Sequence, residues 1–231
     1  MATPAVRLRR ATLHPTSRAL SPLPLPPPRP LLTPSDLVLT LAPSAALSSR
    51  TREALYALFD ANMASLSAGS SLAHSRVAKM AEMFDPDARF LILTSCERMP
   101  GAMPPTPRRV EFDDVLGFAS FRFDTEDTMG AEDVEVVYCY ELQLSERARG
   151  AGLGTVLMAE LEGIGARRGM AKAMLTCLAN NNSALAFYAK AGYTPDEIDP
   201  TRIAEEGGWE DVDSDGEDRR PDYRILSKLL N

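Results

Sequence analysis

At 231 residues the chain has room for one domain with a sizeable core, or for one domain and a tail. Its 45% hydrophobic and 25% charged residues are ordinary for a water-soluble protein, and no apolar run approaches the ~20 residues of a membrane span. The three cysteines, Cys96, Cys139 and Cys177, form no Cys-x-x-Cys pair, which points to a reducing compartment and away from zinc. The net charge of −7 hides an asymmetry: residues 1–35 carry five arginines and no acid, and residues 196–222 carry twelve acids against three arginines. A negative field of that kind fits a basic partner rather than nucleic acid; a plain solvated acidic loop is the alternative.

The leader, residues 1–35, centres on Pro22-Leu23-Pro24-Leu25-Pro26-Pro27-Pro28. It cannot pair a backbone ladder, so disorder with local polyproline helix is expected, with a transit peptide or a proline-recognition segment as alternatives. The domain, residues 36–231, begins with a strand at Leu37–Leu41. Ser49 or Thr51 is placed to cap a helix with Leu55, Leu58, Phe59, Met63 and Leu66 on one face. A shorter helix over Ser75–Phe84 stops at Asp85-Pro86. Arg89–Thr94 is a strand, and Pro100, Pro104, Pro105 and Pro107 mark an exposed loop. Leu116–Phe123 and Val134–Leu144 read as an antiparallel hairpin across a polar loop holding Met129-Gly130. A helix follows near Gly152, with Val156, Leu157, Leu161 and Ile164 on its core face. Then come a strand at Ala173–Leu178, a helix over Ser183–Ala191 closed by Gly192, and a last strand at Tyr223–Leu229. Strands in a meander followed by strand–helix–strand–helix–strand imply a mixed α/β sheet.

The chemistry concentrates between Tyr138 and Thr155. A β-branched and aromatic strand runs into Arg147, Arg149 and three glycines, and a helix starts there. Glycines admit a ligand close to the backbone, and the first N–H groups of a helix have no intrahelical partner. With the positive end of the helix dipole, they make an anion site suited to phosphate.

Those residues, Arg149-Gly150-Ala151-Gly152-Leu153-Gly154, resemble the acetyl-CoA signature of the GNAT acetyltransferases, and Asn181-Asn182-Ser183-Ala184-Leu185-Ala186-Phe187-Tyr188 is similar to that superfamily's second signature. Within it, Phe121-Arg122-Phe123-Asp124, Tyr138–Leu144, Leu175-Thr176 and Tyr223–Ser227 resemble the histone amino-terminal acetyltransferases, N-alpha-acetyltransferase D. That family holds a tyrosine and tryptophans between its first two helices; here Ser67, Leu72, Ala73 and His74 stand there, and the one tryptophan is Trp209.

The resemblance implies a GNAT fold: a mixed, mostly antiparallel sheet splayed at a bulge in a central strand and flanked by helices. It implies acetyl-CoA as co-substrate, held by Leu142, Gln143, Leu144, Arg149, Gly150, Ala151, Gly152, Leu153, Gly154, Thr155 and Asn181. Glu141 is implied as general base and Tyr188 as proton donor to the thiolate. Asp124, Tyr138, Tyr140, Thr176 and Tyr223 would hold the peptide; sheet packing is the alternative for all five and above all for Tyr138, core packing for Tyr188, and a charge at a strand edge for Glu141. Strict alternation puts Tyr138 and Tyr140 on one face and Glu141 on the other, which a bulge would break. His14 and His74 read as surface residues, with no metal.

The implied reaction is transfer of acetyl to a protein α-amine, on the Ser-Gly-Arg-Gly start of histone 4 and histone 2A. The partner is thus a basic protein N-terminus, histone tails above all, without direct nucleic acid or membrane contact. A monomer in cytoplasm and nucleus is expected, organelle targeting being the lesser reading. A lysine or small-amine acetyltransferase and a silent acetyl-CoA-binding scaffold are the rivals.

Overall fold

The computed structural model describes residues 37–95, 115–130, 132–205 and 221–230. The leader, His14, Cys96, the proline-marked loop and Trp209 lie outside them. One seven-stranded sheet runs through the described residues in the order β1-β2-β3-β4-β5-β7-β6. Its strands are β1 (Leu37–Pro43), β2 (Arg89–Ser95), β3 (Val115–Glu126), β4 (Val134–Leu144), β5 (Lys172–Leu178), β6 (Thr194–Pro195) and β7 (Tyr223–Leu229). Only β4 and β5 pair in parallel; every other neighbouring pair is antiparallel.

Both faces of the sheet's first half are covered, which is why β2 reads as an unbroken apolar run. Phe90, Ile92 and Phe118 pack against Leu55, Tyr56 and Phe59 of α1 (Ser49–Ser67) and Met83 of α2 (Arg76–Met83). Leu91, Phe121, Val137, Cys139 and Leu175 face the other way. They meet Leu157, Met158 and Leu161 of α3 (Leu153–Arg167) and Tyr188 of α4 (Asn182–Lys190). Cys139 and Cys177 are buried free thiols, as small core residues.

Several details differ from expectation. The cap of α1 is Ser48, whose hydroxyl accepts from the Thr51 amide at 3.1 Å, rather than Ser49 or Thr51. Strand β3 runs on to Glu126, so Asp124 belongs to the sheet and not to the hairpin loop. The stretch at 196–222 contains α5 (Pro200–Glu205), and two of its acids face inward rather than solvent. Asp196 accepts from Lys172 Nζ at 2.7 Å, and Asp199 from Arg224 Nε at 2.9 Å and the Ile225 amide at 2.8 Å. Burial alone would raise the pKa of Asp196, but Lys172 and Ser227 hold it below its usual value. These two acids anchor the sheet's second half.

Two irregularities open the site. The β3–β4 register steps from Ser120↔Glu141 to Phe121↔Cys139, leaving Tyr140 as the extra residue of a bulge. Parallel pairing of β4 with β5 covers Val136–Cys139 and stops there, while β5 continues paired with β7 to Leu178. The two strands therefore part just where the bulge lies.

Candidate active site

The bulge decides where Glu141 points. Without it, alternation would place Glu141 with Cys139, against α3; with it, the carboxylate turns to the α2 side and meets Lys79 Nζ at 2.6 Å. Gln143 Nε2 donates to its second oxygen at 2.8 Å. Glu141 is only 7% exposed, and burial lifts its pKa above the ordinary carboxylate range against the pull of Lys79 and Gln143. Lys79, itself desolvated, is kept protonated by Glu141 and by Glu82, whose Oε1 lies at 2.8 Å. Opposite Glu141 in the register, the buried hydroxyl of Ser120 has no hydrogen-bond partner.

The peptide candidates gather on the same side. Tyr138 and Tyr140 lie with ring centroids 5.1 Å apart. Tyr140 donates to Asp124 Oδ2 at 3.3 Å, and the Tyr138 and Thr176 hydroxyls are bonded to each other. Burial pushes Tyr140 up to about 12 and Tyr138 well above its usual value. Arg122, beside Asp85, lies 4.3 Å from the Tyr140 ring centroid. Next along β3, burial and the neighbouring Asp124 and Asp127 raise Glu126 to about 7. A cavity of about 310 Å³, lined by Val134, Lys172, Asp196 and Glu197 among others, continues this face. Tyr223 stands apart: it pairs with Leu178 at the start of β7, beside Asp222, whose carboxylate accepts from the Ser71 amide at 2.6 Å.

Tyr188 comes from the other side of the opening. It is buried, edge-on to Phe187 at 5.2 Å and to Tyr193 at 5.8 Å. Burial first, then the nearness of Cys139, Cys177 and Glu141, raises its pKa well above 10. It is both a core aromatic and a neighbour of the base candidate.

The glycine turn has the form of an anion cradle. Gly150 and Gly152 have φ of 76° and 78°, a region other residues enter at a cost, and Gly152 caps α3 with no side chain over the helix end. The first α-helical bond runs from the Val156 amide to the Gly152 carbonyl at 3.2 Å, so the amides of Leu153, Gly154 and Thr155 precede the ladder. Nothing approaches within 4 Å of a Cβ built on Gly150 or Gly152, and the first turn of α3 has no acid. A Cβ on Gly154 would lie 3.3 Å from Phe187 Cζ, so that glycine sets the helix–helix approach. The cradle, the exposed Arg149 and Ala151 beside it, and the edge of β4 at Leu142–Leu144 that pairs with β3 but not with β5 fit a ligand with a diphosphate and an extended, amide-bearing arm.

Two cofactor candidates have other duties. The side chain of Gln143 is buried between Glu141 and Asn62. Asn181 Oδ1 caps α4, accepting from the Ala184 amide at 3.2 Å. His74 is exposed and lies against the Phe59 ring at 5.3 Å. Among the described residues no group of three or more His, Cys, Asp or Glu is placed to hold a metal, and no helix is long and apolar enough to cross a membrane.

Sequence reasoning missed Lys79, Asn62, Ser120 and Arg122. Lys79 had a signal: it stands one turn before Met83 on the buried face of α2, where a charge needs a partner.

A sequence model of the acetyltransferase (GNAT) family matches residues 76–193, from α2 to the end of the second signature. The chain belongs to the GNAT acetyltransferases. Similar folds include an acetyltransferase from Streptococcus agalactiae, 14% identical, with a TM-score of 0.52 over 83% of this chain and 98% of that one. The NatC complex bound to Gag peptide and CoA is 14% identical, with a TM-score of 0.51 over 84% and 99%. Arabidopsis thaliana NAA60 in complex with a bisubstrate analogue is 12% identical, with a TM-score of 0.51 over the same shares. At such identities the likeness is one of fold. The seven-stranded splayed sheet between helices is the GNAT architecture.

Proposed function

We propose that this GNAT enzyme transfers acetyl from acetyl-CoA to the α-amine of a protein whose N-terminus is small and basic, of the Ser-Gly-Arg-Gly kind found on histones 4 and 2A. The observation that carries this reading is the juxtaposition, on one side of the sheet, of buried Glu141 with Tyr138, Tyr140 and Asp124. Asp124, with Tyr140 on one oxygen, offers a carboxylate to a cation further along the peptide. A monomer acting on histones in cytoplasm and nucleus belongs to the same proposal.

An α-amine has a pKa of about 7.8 and a lysine about 10.4, so near pH ~7.4 roughly a quarter of the former and about a thousandth of the latter are neutral. Acetyl-CoA supplies the acetyl group as a thioester. The amine forms the C–N bond as the C–S bond breaks, its proton goes to Glu141 directly or through water, and Tyr188 gives a proton to the departing sulfur. A base with a raised pKa is the better acceptor for this proton, and burial gives Glu141 one.

The test is a two-by-two comparison of wild type and Asp124→Ala, each with a Ser-Gly-Arg-Gly peptide and its Ser-Gly-Ala-Gly analogue. A charge-assisted bond contributes about 1.5–3 kcal/mol, so either single change should lower kcat/KM roughly ten- to a hundredfold and the second should barely deepen the loss. Additive losses, or equal use of both peptides by wild type, would remove Asp124 from the site and histone-like termini from the substrate class.

A further inference from the structure

The contacts behind Glu141 form one chain that ends at the cradle. Arg149 Nη2 donates to Asn62 Oδ1 at 2.6 Å. Asn62 Nδ2 donates to Gln143 Oε1 at 2.9 Å and to the Leu144 carbonyl at 3.1 Å. Gln143 Nε2 donates to Glu141 Oε2 at 2.8 Å, while Lys79 holds Oε1 at 2.6 Å. Every link donates in the same direction, from guanidinium to carboxylate, and both amides are fixed in orientation by having donor and acceptor engaged. In such a chain each bond polarises the next. While Arg149 is bonded to Asn62, its charge makes Gln143 a stronger donor and holds down the proton affinity of Glu141.

Arg149 is also the residue that leads into Gly150 at the mouth of the cradle. A diphosphate seated there competes with Asn62 for the same guanidinium. The chain then loses its charged head, Gln143 donates more weakly, and the carboxylate becomes more basic. Titratable and polar groups face Glu141 from every packed element: Lys79 and Glu82 of α2, Ser120 of β3, Cys139 and Gln143 of β4, and Tyr188 of α4. Of these, Gln143 is the one bonded onward, through Asn62 of α1, to the cradle.

We infer that Asn62 is a positioning residue that links occupancy of the phosphate cradle to the proton affinity of Glu141, so that the base is strongest when the acetyl donor is bound. This rests on the reading of Arg149–Thr155 as the acetyl-CoA cradle and of Glu141 as proton acceptor. It gives Asn62 a role that touches neither substrate.

The experiment is calorimetric titration of CoA into the full-length protein between pH ~6 and ~7.5, in pairs of buffers with different ionisation enthalpies, which counts protons taken up on binding. Wild type, Asn62→Leu, Gln143→Met and Glu141→Gln are compared, so that the titration of CoA's own phosphate is common to all. Wild type should take up more protons than Glu141→Gln. Asn62→Leu, which frees Arg149 for the ligand, should bind CoA at least as tightly as wild type yet take up no more protons than Glu141→Gln. Gln143→Met cuts the same chain one link on and, where it binds CoA at all, should likewise take up no more protons than Glu141→Gln, so loss of fold in one variant leaves the other decisive. If folded cut variants take up as many protons as wild type, the linkage runs through space and the proposal is overturned. If wild type binds CoA with no more uptake than Glu141→Gln, the proposal fails and the cradle stands; if wild type does not bind CoA, the cradle reading fails with it.

Discussion

Replacing Lys79 by methionine removes one charge from a buried pair while roughly keeping the volume. Lys79 Nζ and Glu141 Oε1 are 2.6 Å apart, and their side chains are 9% and 7% exposed. At an effective dielectric constant of about 20 the attraction at that distance is ~6 kcal/mol, set against a desolvation cost of several kcal/mol for each ion. The pair therefore contributes little net stability, but removing one member leaves a buried unpaired carboxylate, at a cost of about 3–5 kcal/mol. That cost depends on pH. With the pull of Lys79 gone and Gln143 alone opposing burial, Glu141 in Lys79→Met has a folded pKa raised further above the unfolded value of about 4.3. The folded variant then binds the proton that the unfolded chain has lost, so its stability falls as pH rises through that window. Guanidinium denaturation at pH ~8 should show the full loss, and at pH ~5 a much smaller one. Glu141→Gln in the Lys79→Met background should restore part of the stability, as a neutral pair replaces an unpaired charge. A loss below ~1 kcal/mol at pH ~8, or one equal at both pH values, would refute a buried ion pair as the setting of Glu141.

Gly152→Glu places a side chain at φ 78° and a carboxylate among the free amides of α3, which should weaken CoA binding by about a hundredfold or more in a protein with unchanged circular dichroism. Unchanged affinity by calorimetry would mean the cradle lies elsewhere. Glu126 has a folded pKa of about 7, above its unfolded value, so the folded state holds the extra proton and stability drains away as pH rises from about 4 to 7. Glu126→Gln should accordingly raise Tm relative to wild type at pH ~8 and not at pH ~5; the same gain at both would contradict the burial of that carboxylate.

Much of this was legible because local pattern and tertiary demand agree. The hairpin, the strand–glycine–helix unit and the second signature each carry their own turn chemistry, and each lies where the residues put it. The bulge was expected from the resemblance, but its position was not readable: nothing in Tyr138–Glu141 marks Tyr140 as the extra residue until the β3 register is known. Lys79 and Asn62 act across the fold, from α2 and α1 onto β4; the place of Lys79 on α2 shows that it needs a partner, but which residue, 62 positions away for Lys79 and 81 for Asn62, leaves no local trace. Two acids of the 196–222 stretch were illegible for the same reason. Asp196 and Asp199 sit within a run of acids that looks solvated, and only the fold brings Lys172 and Arg224 to them.

Transfer of acetyl to an N-terminal α-amine is read out by tandem mass spectrometry of peptide products. The full-length protein is incubated with acetyl-CoA and a peptide beginning Ser-Gly-Arg-Gly that also contains lysine, with an N-terminally blocked copy beside it. Acetyl transfer to the α-amine predicts one added acetyl, on the α-nitrogen of the free peptide, none on the blocked copy, and loss of the product by roughly two to four decades in Glu141→Gln. Acetyl on lysine in both peptides, or none on either while CoA binds, would contradict it.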